Sequence, residues 1–176
     1  MIPVLFTPPC PAPPDEAGFV IVVDKSDFVL GVFQDRVVVP GPDGPACFAV
    51  ALGASPVGHK EARGDERTPV GSFRVTNKNP ASSFHLSLGL DYPQAADGES
   101  ALAAGRIDAR TRDRVVAAAK AGGMPARDTA LGGDIYLHGG GAYPSFWTDG
   151  CVAIANEQMD WLYPKVKTGT RVLIRE

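Results

Sequence analysis

The stretch DIYLHGGGAYPSFWTDGCVAI, residues 134–154, holds two short apolar runs that each carry a chemically active residue at one end. Asp134–His138 alternates and predicts a strand that delivers His138 at its last position. Cys151–Ile154 predicts a second strand that opens on a thiol. Between them lie Gly139-Gly140-Gly141 and Thr148-Asp149-Gly150, turn chemistry that lets the chain double back.

Outward from this stretch the chain reads as mostly β, in the α+β class. Upstream, Phe19–Asp24 (FVIVVD) is a β-branched run and predicts a buried strand. Phe28–Phe33, Asp35–Val39 and Cys47–Leu52 follow as short strands of an antiparallel meander, with a turn at residues 40–45. Residues 53–69 are polar and rich in Gly and Pro, and predict a loop. Gly71–Asn77 and Phe84–Leu90 alternate as strands. Glu99–Ala121 is alanine-rich and predicts the main helical insertion, split at Gly105 and stopped by Gly122-Gly123. Asn156 is a good N-cap for a short helix over Glu157–Tyr163, and Arg171–Ile174 closes the chain as a strand. Residues 1–18 hold six prolines and predict an extended arm or linker; residues 19–176 form one domain.

Composition narrows the function. The chain has 176 residues, 17 Lys plus Arg against 20 Asp plus Glu, and a net charge of −3. A basic face is the expected footprint of nucleic-acid binding, so that class is set aside. No apolar run approaches the roughly 18 residues of a membrane span, and no signal peptide is visible. The three His (His59, His85, His138) and three Cys (Cys10, Cys47, Cys151) show no metal-ligand spacing. No metal or organic cofactor is expected. Cys10 and Cys47 either pair in an oxidising compartment or stay apart, and the mobile reading of the arm favours their staying apart.

A Cys nucleophile needs a base to raise its thiolate fraction. His138 is the candidate base for Cys151, and Gly150 permits the tight bend that converges amides into an oxyanion site. Taken alone, the pattern fits a small core cysteine equally well. Trp147 and Phe146 read either as a substrate wall or as core beneath the loop. Lys60, Asp65 and Arg67 read as cleft-lining or as solvated loop charges. The His-Gly-Gly-Gly run also resembles the oxyanion loop of lipase-type hydrolases, but the Gly-x-Ser-x-Gly elbow is missing.

Residues 135–174, with His-Gly after a strand and Thr-Asp-Gly-Cys further on, resemble the active-site region of the L,D-transpeptidase (YkuD-type) catalytic domain family. Upstream, ALGASPVGHKEARGDERTPVGSFRV (residues 51–75) is similar to the family's ordered Gly-x-Lys, Gly-Asp and Thr-Pro-x-Gly-x-Phe motifs. NKNPASSFHLSLGLDYPQAAD (residues 77–97) resembles a subgroup with a Trp-Thr-x-Gly-Cys motif. The resemblance implies a β-sandwich with a helical insertion and a short helix after the cysteine. It implies Cys151 as nucleophile, His138 as base, the Gly139 carbonyl orienting the ring, and amides of Gly150 and Cys151 at the oxyanion. Thr148 matches the Ser/Thr of the motif. His85, Ser87 and Tyr92 are carried over as substrate contacts, and Trp147, Thr148 and Asp149 are added as substrate-binding candidates beside Cys151.

The implied substrates are peptidoglycan stem peptides, with an amine acceptor (a second stem, a D-amino acid or a protein) or water resolving the thioester. Water would make the enzyme a carboxypeptidase or amidase. A peptidoglycan-binding domain without turnover is the alternative from another class. A monomer in the periplasm or cell envelope is expected from the substrate class. Two departures stand out: Asp149 replaces a common His, and Ala153 replaces a common Arg.

Overall fold

The computed structural model describes residues 8–176. The strands are β1 (Phe19–Asp24), β2 (Val29–Gln34), β3 (Val37–Val38), β4 (Pro40–Gly41), β5 (Gly44–Pro45), β6 (Cys47–Ala49), β7 (Gly71–Ser82), β8 (His85–Leu90), β9 (Tyr136–His138), β10 (Val152–Ala153) and β11 (Arg171–Arg175). The helices are α1 (Ala95–Ala103), α2 (Ala109–Ala121) and α3 (Asn156–Leu162), the last running into a 3-10 turn at Tyr163–Lys165. Among the described residues no helix is long and apolar enough to cross a membrane.

The main sheet runs β10-β9-β8-β7-β11-β1-β2-β3, with β6 also on β2. The twelve-residue β7 makes this possible. Its first residues pair with β11 and its later ones with β8, so one strand serves both halves. Register shifts after Val75 and after Asn79 bend it, and Pro80 sits in the second irregularity, where a missing N–H costs no ladder bond. An antiparallel bridge between Ala51 and Ala153 joins the segment after β6 to β10. The hydrogen-bonded path thus comes back to its start and encloses one core, in which Ile21, Leu30 and Phe73 meet Leu88, Leu137 and Ile154.

Two sequence expectations are corrected. The early strands are not purely an antiparallel meander: β1 lies between β2 and β11 and runs parallel to β11. This explains its uninterrupted apolar run, because Ile21 and Val23 face the main core while Val20 and Val22 pack on Phe33 on the other side. Second, Cys10 and Cys47 form a disulfide. The loose arm that the proline run predicts is instead packed in its described part, where Pro11 and Pro14 are buried. Gly31 makes room for Pro11, since a Cβ there would lie 2.7 Å from Pro11 Cγ. Cys47 is the register partner of Gly31, so the disulfide holds the arm where the proline ring seats. Residues 1–7 of the expected arm lie outside the described residues.

Several boundaries also move. The third strand shrinks to Val37–Val38 and the fourth to Cys47–Ala49. The helical insertion begins at Ala95, where the Asp97 carboxylate accepts the Gln94 N–H at 2.6 Å. It breaks after Ala103 and restarts at Ala109, capped by Asp108 accepting from Thr111 N–H at 2.8 Å. Gly122 stops it in the left-handed conformation.

Candidate active site

Strands β9 and β10 are parallel neighbours, with Ala153 paired to His138 and Val152 to Leu137. Residues paired across a ladder share a face, so His138 and Cys151 project on the same side of the sheet. Both line a cleft of about 710 Å³. Cys151 is the free cysteine of the described chain and is half-buried. Its Sγ accepts a hydrogen bond from Tyr136 N–H at 3.4 Å and donates toward the Asp134 carbonyl at 3.4 Å.

His138 is 2% exposed. Its Nδ1 donates to the Gly139 carbonyl at 2.5 Å, which leaves Nε2 as the free lone pair. Phe84 stacks on the ring at 4.6 Å and Trp147 meets it edge-on at 5.8 Å. These aromatics exclude water. Burial lowers the His138 pKa, and the Gly139 carbonyl works the other way. Burial pushes the Cys151 thiol up to about 11; Tyr136 N–H opposes this, and Asp149 and Asp134 add to the rise. At neutral pH the resting pair is therefore thiol and neutral imidazole.

The turn before Cys151 is built around Thr148. Its buried hydroxyl donates to the Cys151 carbonyl at 2.7 Å and accepts the Gly150 N–H at 3.2 Å. Gly150 has φ 128°, and a Cβ there would lie 2.6 Å from the Arg67 carbonyl. Only glycine passes between the 53–69 loop and the cysteine at this point.

The cleft collects Cys151, His138, Ser87, Trp147, Thr148 and Asp149 from the expected set. The lining does not include His85 or Tyr92, nor the two expected glycines, Gly139 and Gly150. The His85 ring turns away to Asp160 on α3, 2.6 Å from its carboxylate. Tyr92 is fully buried, and its hydroxyl donates toward the Lys60 and Leu131 carbonyls. Its role is to tie the loop and the residues before β9 to the core. Phe146 packs edge-on against Phe28. Lys60 lines the cleft and is held by Asp65 at 2.7 Å, while Asp65 also accepts the Glu61, Ala62 and Arg67 N–H groups.

Sequence reasoning missed a charged part of the cleft lining. Arg127 pairs with Asp134 at 2.8 Å, and both line the cleft with Tyr136 and Arg63. Asp134 holds φ 56° directly after Gly132 and Gly133, themselves at positive φ. The Gly-Gly-Asp run ahead of a strand was the available signal. Ala153 is fully buried against Ala51, so an arginine has no room at this position.

These features define a mostly β fold with a few helices and a Cys–His cleft at the edge of parallel strands. A family model described as YkuD, the L,D-transpeptidase catalytic domain, matches residues 18–174, and the chain belongs to that family. Solved structures with the same fold include the helical cell shape determining protein Pgp2 from Campylobacter jejuni (22% identity, TM-score 0.60, 92% of this chain and 49% of that one). Another is the L,D-transpeptidase from Xylanimonas cellulosilytica (20% identity, TM-score 0.54, 94% and 64%). A third is Bd1075 from Bdellovibrio bacteriovorus (19% identity, TM-score 0.56, 90% and 48%). The chain thus spans about half the length of the Campylobacter and Bdellovibrio proteins. A comparison with curated proteins gives no match.

Proposed function

We propose that this chain carries out cysteine-dependent acyl transfer on peptidoglycan stem peptides in the cell envelope. The observation that carries the reading is the free Cys151 beside a buried His138 whose Nδ1 is occupied by the Gly139 carbonyl, both in one cleft. Family membership supports the substrate class. The Cys10–Cys47 disulfide fits an oxidising compartment.

In this reading the Cys151 sulfur attacks the carbonyl between the L-centre of a diamino acid and a terminal D-residue. Its proton passes to His138 Nε2. The oxyanion takes the Cys151 N–H and the Gly150 N–H, the latter leaving its long bond to Thr148 Oγ1. The imidazolium protonates the departing amine of the D-residue, and a thioester remains. An amine or water then attacks the thioester, His138 takes its proton, and the thiol is regenerated. Trp147, Thr148, Asp149 and Ser87 would bound the stem.

The test is mass spectrometry of a muropeptide tetrapeptide incubated with the protein, with and without a free D-amino acid, beside Cys151→Ala and His138→Ala. Exchange of the terminal residue supports a transpeptidase, and its loss without exchange supports a hydrolase. Either activity should fall by on the order of 1,000-fold or more in both variants. Full turnover in either variant would sink the mechanism. Stem binding without Cys151-dependent change would make the domain a binding module.

A further inference from the structure

We propose that Asn156 positions the imidazole of His138 through the Gly139–Gly140 peptide, as the outer member of a His–peptide–Asn relay. His138 Nδ1 donates to the Gly139 carbonyl. The N–H of the same peptide unit, on Gly140, donates to Asn156 Oδ1 at 2.8 Å. One amide plane therefore joins the two side chains, with a hydrogen bond at each end. Donation from the N–H end polarises the amide and makes its carbonyl a better acceptor, the cooperative effect expected of linked hydrogen bonds.

The neighbouring amides do not need this help. Gly139 N–H goes to the Leu86 carbonyl at 3.1 Å and Gly141 N–H to the Ile154 carbonyl at 2.9 Å. The Gly140 N–H is the one in this run that takes a side-chain acceptor. Both residues flanking this peptide are glycine, so no Cβ resists rotation of its plane. A turned peptide would withdraw the carbonyl from Nδ1 and let the proton move to Nε2, the nitrogen assigned as base in the proposed reaction. Gly139 itself is required by the arrangement: a Cβ there would lie 2.7 Å from Asn156 Oδ1 and 2.9 Å from the Phe84 carbonyl.

The sequence places Asn156 as an N-cap. In the structure α3 starts on it, with Ala155 before the first turn. The Ala155 N–H is accepted by the Gln158 side chain at 3.2 Å, so the helix start does not depend on the Asn156 side chain. That side chain is committed to the loop that follows the candidate base.

The role of Asn156 as a positioning residue rests on His138 being the base, and the decisive readout does not require turnover. The experiment is ¹⁵N NMR of the His138 imidazole in the wild type, Asn156→Ala and Asn156→Asp, with amide exchange followed at Gly140. The wild type should show the neutral ring protonated on Nδ1. Asn156→Ala should show a mixture with the Nε2–H form and faster Gly140 exchange. Asn156→Asp, which keeps the acceptor, should restore the wild-type tautomer. Where stem turnover is measurable, Asn156→Ala should lower kcat on the order of 100-fold with KM little changed, and Asn156→Asp should recover most of it. An unchanged tautomer in a folded Asn156→Ala would overturn the relay. Failure of the acyl-transfer reading would instead appear as turnover surviving Cys151→Ala, with the tautomer result standing apart.

Discussion

The Cys151 thiol rests in an environment that opposes ionisation, with a carbonyl and two carboxylates around it and an imidazole that burial keeps neutral. Such a thiol should be unreactive until a substrate displaces its partners. Its pKa, pushed up to about 11 from 9.0, implies a thiolate fraction at pH 7 about 100-fold below that of an ordinary cysteine. Iodoacetamide should therefore alkylate the resting protein slowly at pH 7, and the rate should still be rising above pH 9, as followed by intact mass. The same shift links to stability. The unfolded chain loses this proton first, so stability should fall as pH rises from about 9 toward 11. Cys151→Ser should flatten that slope in denaturant titrations. At the acid side the lowered His138 pKa has the opposite sign: stability should fall as pH drops below 6.5, because the unfolded imidazole protonates first.

At the scale of elements, the loop of residues 53–69 forms one wall of the cleft and has little regular structure of its own. It is held from beneath by Lys25, whose side chain is 1% exposed. The ammonium donates to the Gly58 carbonyl at 2.6 Å, the Thr68 carbonyl at 3.2 Å and Glu176 at 3.0 Å. Glu176 in turn accepts the Gly58 N–H at 2.8 Å. Burial lowers the Lys25 pKa, opposed by Glu176. Lys25→Met keeps the apolar stem but leaves buried carbonyls without a donor, at a cost of about 1–3 kcal/mol. A lower Tm and faster hydrogen exchange across residues 58–68 should follow. Unchanged exchange there would mean that Asp65 and Tyr92 hold the loop without the lysine.

At the scale of the whole molecule, β1 and β2 are covered on both faces, and the outer cover is the proline arm. The disulfide closes 37 residues of sequence, a loop length that corresponds to about 3–4 kcal/mol of stabilisation in the chain-entropy account. Cys10→Ser with Cys47→Ser should lower thermal stability by about that amount and leave the thiol chemistry of Cys151 unchanged. A double variant as stable as the wild type would show that Pro11 and Pro14 seat without the cross-link.

Local chemistry alone determined a good share of this protein. Strand and helix identities follow from side-chain period and turn residues, so FVIVVD, the split at Gly105 and the stop at Gly122 were legible. His138 and Cys151 stood out as candidates through the glycines beside them, although that local trace fits a core cysteine equally well. Tertiary structure decided the rest. The sequence could not show that β1 pairs with the last strand, that Cys10 reaches Cys47, or that His85 and Tyr92 serve neighbouring elements. Nor could it show that Arg127 and Asp134 wall the cleft, or that Asn156 reaches the Gly139–Gly140 peptide. Each of these depends on chain segments that meet only once the core has closed, and a one-dimensional pattern carries no term for such meetings.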